Sequence, residues 1–300
     1  MKIAHVIATI LSLLALGGCK STTDEPAKAE VKADTPAKSS AHNAEPTDSK
    51  APPTARGTAK AAGPKDDGDF VPRYGKTENP DLEAALREEK FLESFCADAN
   101  RTLTLPLDVD VVLEDCDEAN AFYDPEHHRI TMCYELIETF TKQFDQYARD
   151  EEEADAQVMG ATMFTMYHEL GHALSDIYKL PLTGKEEDAV DQLATVVLLA
   201  MGDEGREQAL DGAEAFLPDE AEAEFGELAF WETHSFGEQR FYNTLCLVYG
   251  KDPALHPEMV EDEMLPHERA EGCVEEYERA SAAWATLLKP HLQPTAAGIK

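Results

Sequence analysis

Apolar side chains recur at helical spacing through most of this chain and alternate over only a short part of it. After the helix-opening pair Pro80-Asp81, the residues Leu82, Leu86, Phe91, Leu92 and Phe95 predict a helix with one apolar face. Residues 107–113 (LDVDVVL) alternate and are β-branched, which predicts a strand. Residues 120–123 and 129–133 flank Asp124-Pro125-Glu126-His127, a turn sequence, and predict a hairpin in which His127 and His128 are solvated turn residues. The strand at 129–133 is then a candidate sheet edge. A helix is expected over 134–147. A longer one follows the acids at 150–153, which suit a helix N-terminus. Within it, Tyr167, Leu170, Leu174 and Ile177 mark a buried face. Pro181 and Gly184 break the chain before a helix over about 186–201. Residues 219–249 and 266–288 also read as helical, joined by a Pro-containing loop at 253–258. The expected fold class is α+β, a mainly helical domain with a small antiparallel sheet.

The first 70 residues do not fit this pattern. Met1-Lys2, an apolar run from Ile3 to Leu16 and Gly17-Gly18-Cys19 read as a signal peptide (1–18), because the run is short for a bilayer span. Its ending resembles a bacterial lipobox, which implies acylation of Cys19, a lipid anchor to a membrane and a place in the cell envelope, facing the periplasm or the exterior. Lys20 after the cysteine favours the outer membrane. Residues 20–70 lack large apolar side chains before Phe70. Such a stretch cannot offset its ordering entropy and is expected to be a disordered tether (19–70), its ends roughly 40 Å apart. The folded domain is expected over 71–300.

Charge narrows the choice of partner. The formal charge of −34 falls almost wholly after residue 70, since residues 20–70 carry 8 Lys+Arg against 9 Asp+Glu. A domain that acidic does not bind nucleic acid through its phosphates. Apart from Cys19 there are five cysteines, and export makes disulfides plausible. The expected pairs are Cys116–Cys133 and Cys246–Cys273, with Cys96 left buried on its helix. With no C-x-x-C pair, cysteine is disfavoured as a zinc ligand.

The candidate chemistry lies in the long helix. His168-Glu169-Leu170-Gly171-His172 is H-E-x-x-H, and histidines four apart share one helix face. Two imidazoles so placed can hold one Zn2+, and the glutamate after the first can take a proton from the attacking water. A catalytic zinc keeps three protein ligands and an open position. The third is not a metzincin histidine, because Ser175 and Tyr178 occupy the glycine and histidine positions of that extended motif. Glu186, Glu187 and Asp188 compete for it. Val190, Leu193, Ala194, Val197 and Met201 define the apolar stripe of the next helix, and Asp188 falls on the far side, toward solvent. Glu187 alone among the remaining two is followed four residues on by an acid, Asp191. Asp191 can receive the outer ring N–H of His168 while Glu187 takes the metal. On this reading Glu186→Gln leaves zinc in place.

Beyond these residues, the chain resembles a bacterial family of zinc metallopeptidases known only as a domain of unknown function, with the gluzincin pairing of H-E-x-x-H and E-x-x-x-D. The resemblance rests on CDEANAFYDP at 116–125, CYEL at 133–136, HELGHAL at 168–174 and EEDAVDQLA from Glu186. It continues through HSFGEQRFYN at 234–243 and Cys273 followed by Glu275-Glu276-Tyr277. It implies a zincin-like domain that hydrolyses peptide or protein substrates, with His168, His172 and Glu187 on zinc and Glu169 as general base. By analogy with thermolysin-like enzymes, His234 is the first choice for the donor to the developing oxyanion, with Arg240 and Tyr242 as further candidates. The alternative is a zinc-binding lipoprotein without catalysis that holds an envelope partner. An amidase acting on peptidoglycan would use the same centre.

Overall fold

The structure is a computed structural model that describes residues 65–217 and 233–294. The leader, Cys19 and residues 20–64 of the expected tether lie outside the described residues, as do residues 219–232 of the helix expected over 219–249. The folded part begins before residue 71. Gly68 bridges Leu105, Asp66 accepts the Leu105 N–H, and Phe70 is fully buried at 1% exposure. Phe70–Tyr74 is a strand, β1, that the alternating pattern does not announce.

The helix expected from residue 80 is two helices, α1 (Pro80–Glu88) and α2 (Phe91–Thr102), because Lys90 adopts a left-handed conformation at φ 54°. Three strands follow: β2 (Val109–Glu114), β3 (Ala121–Asp124) and β4 (Arg129–Cys133). The sheet order is β1-β2-β4-β3. β1, β2 and β4 run parallel and only β3 is antiparallel, so the sheet is mixed rather than antiparallel. The correction has two physical sources. The β1–β2 connection is a helical crossover, which parallel strands require. Val109, Val111, Val112 and Leu113 are all buried, the near-continuous apolar run of a strand covered on both faces. β4 is therefore internal, and among the described residues β3 is an edge strand paired only with β4.

The Cys116–Cys133 disulfide fits this order, with Cα atoms 5.5 Å apart. Cys116 follows the end of β2 and Cys133 ends β4, and only adjacent parallel strands bring those two ends together. The Glu135 carboxylate accepts the N–H groups of Cys116 and Asp117, pinning the turn that leads into β3. A second disulfide links Cys246 with Cys273, and Cys96 is a free, buried thiol.

The remaining described elements are helical. α3 (Tyr134–Phe144) leads to α4 (Glu151–Tyr178), whose 28 residues carry the motif. Asp150 caps α4 by accepting the Glu153 N–H, and Lys179 ends it in a left-handed conformation at φ 50°. α5 (Glu186–Ala200) and α6 (Asp203–Ala215) pack along α4. α6 hides from an apolar pattern because its buried residues are small: Gly205, Ala209, Gly212 and Ala213. α7 (Gly237–Lys251), the short α8 (Glu258–Glu261) and α9 (His267–Ala270), and α10 (Cys273–Leu288) complete the layer. The core runs from Phe70 and Leu113 of the sheet through Phe164, Tyr167 and Leu174 of α4 to Trp284 of α10.

Candidate metal centre and active-site cleft

α4 and α5 bring the motif residues together. His168 and His172 project from one face of α4, and Glu187 faces them from the first turn of α5. The His168 and His172 Nε2 atoms are 3.2 Å apart. Glu187 Oε2 lies 3.3 Å from each of them. The close packing depends on Gly171 inside the motif, because a Cβ at that position would lie 2.7 Å from Val190 Cβ.

Outer hydrogen bonds determine which ring nitrogen faces inward. His168 Nδ1 donates to Asp191 Oδ1 at 2.7 Å, and His172 Nδ1 donates to Glu186 Oε1 at 2.9 Å. A carboxylate can only accept, so each Nδ1 holds the proton and each neutral ring turns an Nε2 lone pair toward the shared point. Two nitrogen lone pairs and a carboxylate oxygen then meet with no proton to share, an arrangement that a cation satisfies. Tetrahedral coordination at the usual zinc bond lengths requires ligand atoms about 3.3 Å apart, which is the size of this triangle. The imidazole, imidazole and carboxylate set also suits zinc chemically. Among the described residues, His168, His172 and Glu187 form one of two groups whose ligand atoms converge this closely. The other is Cys116, Cys133 and Glu135, whose sulfurs are joined in the disulfide.

Without a cation the site attracts protons. Burial works against a charged His168, yet the Asp191 and Glu187 carboxylates outweigh it and push its pKa up to about 9. His172 is likewise raised against its burial by Glu187 and Glu186. Burial would raise Glu187, but His168, His172 and His234 hold its carboxyl well below the usual range. Asp191 is also buried, and Arg240 with His168 brings it down to about 2. Glu169 differs from these. It is 5% exposed, its Oε1 is 4.0 Å from His168 Nε2, and burial pushes its carboxyl up despite the neighbouring histidines.

His168, Glu169, His172, Glu186, Glu187 and His234 line a cleft of about 790 Å³. Its floor is His168, Glu169, His172 and Glu187, and one wall is the edge strand, from Asn120 to Tyr123. His234 stands at the mouth. Its Nε2 donates to Glu187 Oε2 at 2.9 Å, and its ring stacks against His168 with centroids 6.1 Å apart.

Neither of the other two expected donors lines this cleft, although Arg240 borders an adjoining hollow with His168, Glu169 and His234. Arg240 grips Asp191 through two hydrogen bonds of 2.8 Å and lies over the Phe216 ring, so its guanidinium is spent on the buried carboxylate behind His168. Tyr242 lines a separate hollow with Asp188 and Ser235 and packs edge-on against Phe241. Asp188 does not simply face solvent, since it accepts the Ser235 hydroxyl at 2.6 Å. His127 is exposed and pairs with Asp124, while His128 is half-buried with Nδ1 3.2 Å from the Tyr123 hydroxyl. Residue spacing alone does not announce the Glu186–His172 bond. The available signal was the run of three acids, of which only one can be the third ligand.

No curated protein and no solved structure gives a significant match to the chain. Residues 74–288 match the model of a family described as "Putative metallopeptidase", a span that holds both histidines, Glu169, Glu187 and His234. The chain belongs to this metallopeptidase family.

Proposed function

We propose that the chain is a zinc-dependent endopeptidase of the bacterial cell envelope. The observation that carries this reading is the triangle of His168 Nε2, His172 Nε2 and Glu187 Oε2, with edges of 3.2 to 3.3 Å, on the floor of an open cleft beside the buried carboxyl of Glu169. Bound at that triangle, zinc would supply a Lewis acid that polarises a carbonyl and acidifies a water.

The chain's own groups do the rest. Glu169 takes the proton of the attacking water and hands it to the leaving amine, and its raised affinity for protons suits both steps. His234, half exposed, turns its Nε2–H from Glu187 Oε2 to the oxygen on which charge develops. Asp191 and Glu186 hold the two imidazoles in the tautomer that faces the triangle. An extended peptide lies along β3 and adds to the sheet as a further strand, the role that the edge strand rather than β4 can serve. The lipobox-like ending at Cys19 supports a lipid-anchored protein facing the periplasm or the exterior.

The test is zinc content together with peptide-library cleavage for the purified wild-type chain and Glu169→Gln. The variant should keep near-stoichiometric zinc and lose activity by a factor on the order of 10² or more. Undiminished cleavage by Glu169→Gln overturns the mechanism.

A further inference from the structure

The segment from His234 to Arg240 docks on α5 through three side-chain pairs. His234 Nε2 meets Glu187 Oε2 at 2.9 Å, Ser235 Oγ meets Asp188 Oδ1 at 2.6 Å, and Arg240 grips Asp191 at 2.8 Å. The outer two pairs involve groups that touch the metal-ligand cluster. The middle pair does not. Asp188 is on α5 and Ser235 on the docked segment, and together they line a hollow distinct from the cleft.

Their place in the chain gives the pair a meaning. Asp188 and Ser235 immediately follow Glu187 and His234, the two residues that meet across the site. A hydroxyl on a carboxylate at 2.6 Å is a short, charge-assisted hydrogen bond. His234 itself is poorly confined, with its side chain 49% exposed. It comes from a segment 66 positions beyond His168, so no helix it shares with the motif fixes its distance. A donor displaced by 1 Å can cost up to about 10²-fold in rate. The backbone beside His234 therefore needs an anchor on α5, and Ser235 is the residue that has one.

We propose that Asp188 and Ser235 form a latch that sets His234 over the metal-ligand cluster, which makes both positioning residues. The proposal rests on the role given to His234 above and adds the device that holds it there. The Asp188 carboxylate and Ser235 hydroxyl bond to each other and line a hollow apart from the cleft, so their loss is expected to act through His234.

The experiment compares zinc-loaded wild type with Ser235→Ala, Ser235→Thr, Asp188→Asn, His234→Ala and the double variant Ser235→Ala/His234→Ala. Histidine-ring nitrogen NMR is the readout that does not depend on turnover. The His234 ring signals are expected to shift or broaden in Ser235→Ala and Asp188→Asn, while those of His168 and His172 stay in place. On the best peptide of the library, kcat should fall about 10-fold with KM little changed and zinc content intact. Ser235→Thr, which keeps the hydroxyl, should recover most of that loss. Ser235→Ala should cost nothing further once His234 is alanine. Unmoved His234 signals in both latch variants overturn the proposal, and so does an added loss in the His234→Ala background. If His234→Ala leaves kcat unchanged, the donor role falls instead, and the ring spectra alone decide the latch.

Discussion

Gly171 and Val190 meet with no room for a methyl group between them. A Cβ on Gly171 would lie 2.7 Å from both Cβ and Cγ1 of Val190. Carbon atoms rest about 3.5 to 4.0 Å apart, and Val190 is β-branched with one strongly preferred rotamer in a helix, so the overlap cannot be relieved by turning a side chain. Gly171→Ala gains helix propensity of about 1 kcal/mol. The same change must push α5 away from α4, and Glu187 and Asp191 travel with it. The variant is expected to lose at least about 10-fold in zinc affinity, as ligand-supporting changes do. Adding Val190→Gly, which removes both contacting carbons, should recover part of it. Chelator competition measures both. Wild-type affinity in Gly171→Ala would show that this close crossing does not set the ligand triangle.

The acids at the start of α5 should separate by task when zinc affinity is measured for each. Glu187→Gln removes a charged ligand and is expected to lose most bound zinc. Asp191→Asn keeps an acceptor for His168 but leaves Arg240 facing an uncharged partner, so affinity should fall roughly 10- to 100-fold. Glu186 is about half exposed, and the amide oxygen of Gln can still accept from His172. Glu186→Gln should therefore cost little and Glu186→Ala more. A larger loss from Glu186→Gln than from Glu187→Gln would exchange their roles.

What was legible in the sequence was mostly local. His168 and His172 share a face because helical geometry puts positions four apart together, and Glu187 with Asp191 repeat that interval. The hairpin between β3 and β4 was legible for the same reason, with its turn residues between two strand-like runs. The parallel course of β2 and β4 was not, because β3 lies between them in sequence but beyond β4 in the sheet, and neither was β1, whose five residues follow a tether-like stretch and contain a proline. Arg240 reads as a free donor in a segment full of donors. Its true partner, Asp191, lies 49 positions away and is buried, and a buried carboxylate demands a cation. Small residues concealed α6, since a helix that packs through Gly and Ala leaves no apolar stripe.

The Cys116–Cys133 bridge should matter for stability and for the cleft together. It closes a separation of 17 residues, which corresponds to about 3 kcal/mol of loop entropy. For a domain of this size that is roughly 6 to 12 °C in Tm. The double variant Cys116→Ser/Cys133→Ser is expected to melt lower by about that amount. Because Asn120 and Ala121 follow the bridge and line the cleft, peptide KM should rise as well. An unchanged KM would mean that Glu135, through its bonds to Cys116 and Asp117, holds the turn without the bridge.

Asp211 supplies a test of pH dependence away from the metal site. It sits on α6 against α4, where the carboxylate occupies the space that a side chain at Gly160 would fill. Burial raises its pKa to about 8, with the nearby Glu214 and Glu207 charges adding to the effect. In the unfolded chain an aspartate titrates near its ordinary value of about 4. Between those two values the folded state binds the proton and the unfolded state does not. Stability from this group is therefore full below about pH 4 and is lost progressively as pH rises through about 8. Asn has the same shape and no charge to bury, so Asp211→Asn should escape that loss. Melting curves of both proteins from about pH 5 to about pH 8.5 should show the variant gaining on wild type as pH rises, with the gap levelling off above the Asp211 pKa. A gap that stays flat, or that narrows toward high pH, would mean the Asp211 carboxylate is charged in the folded protein throughout that range.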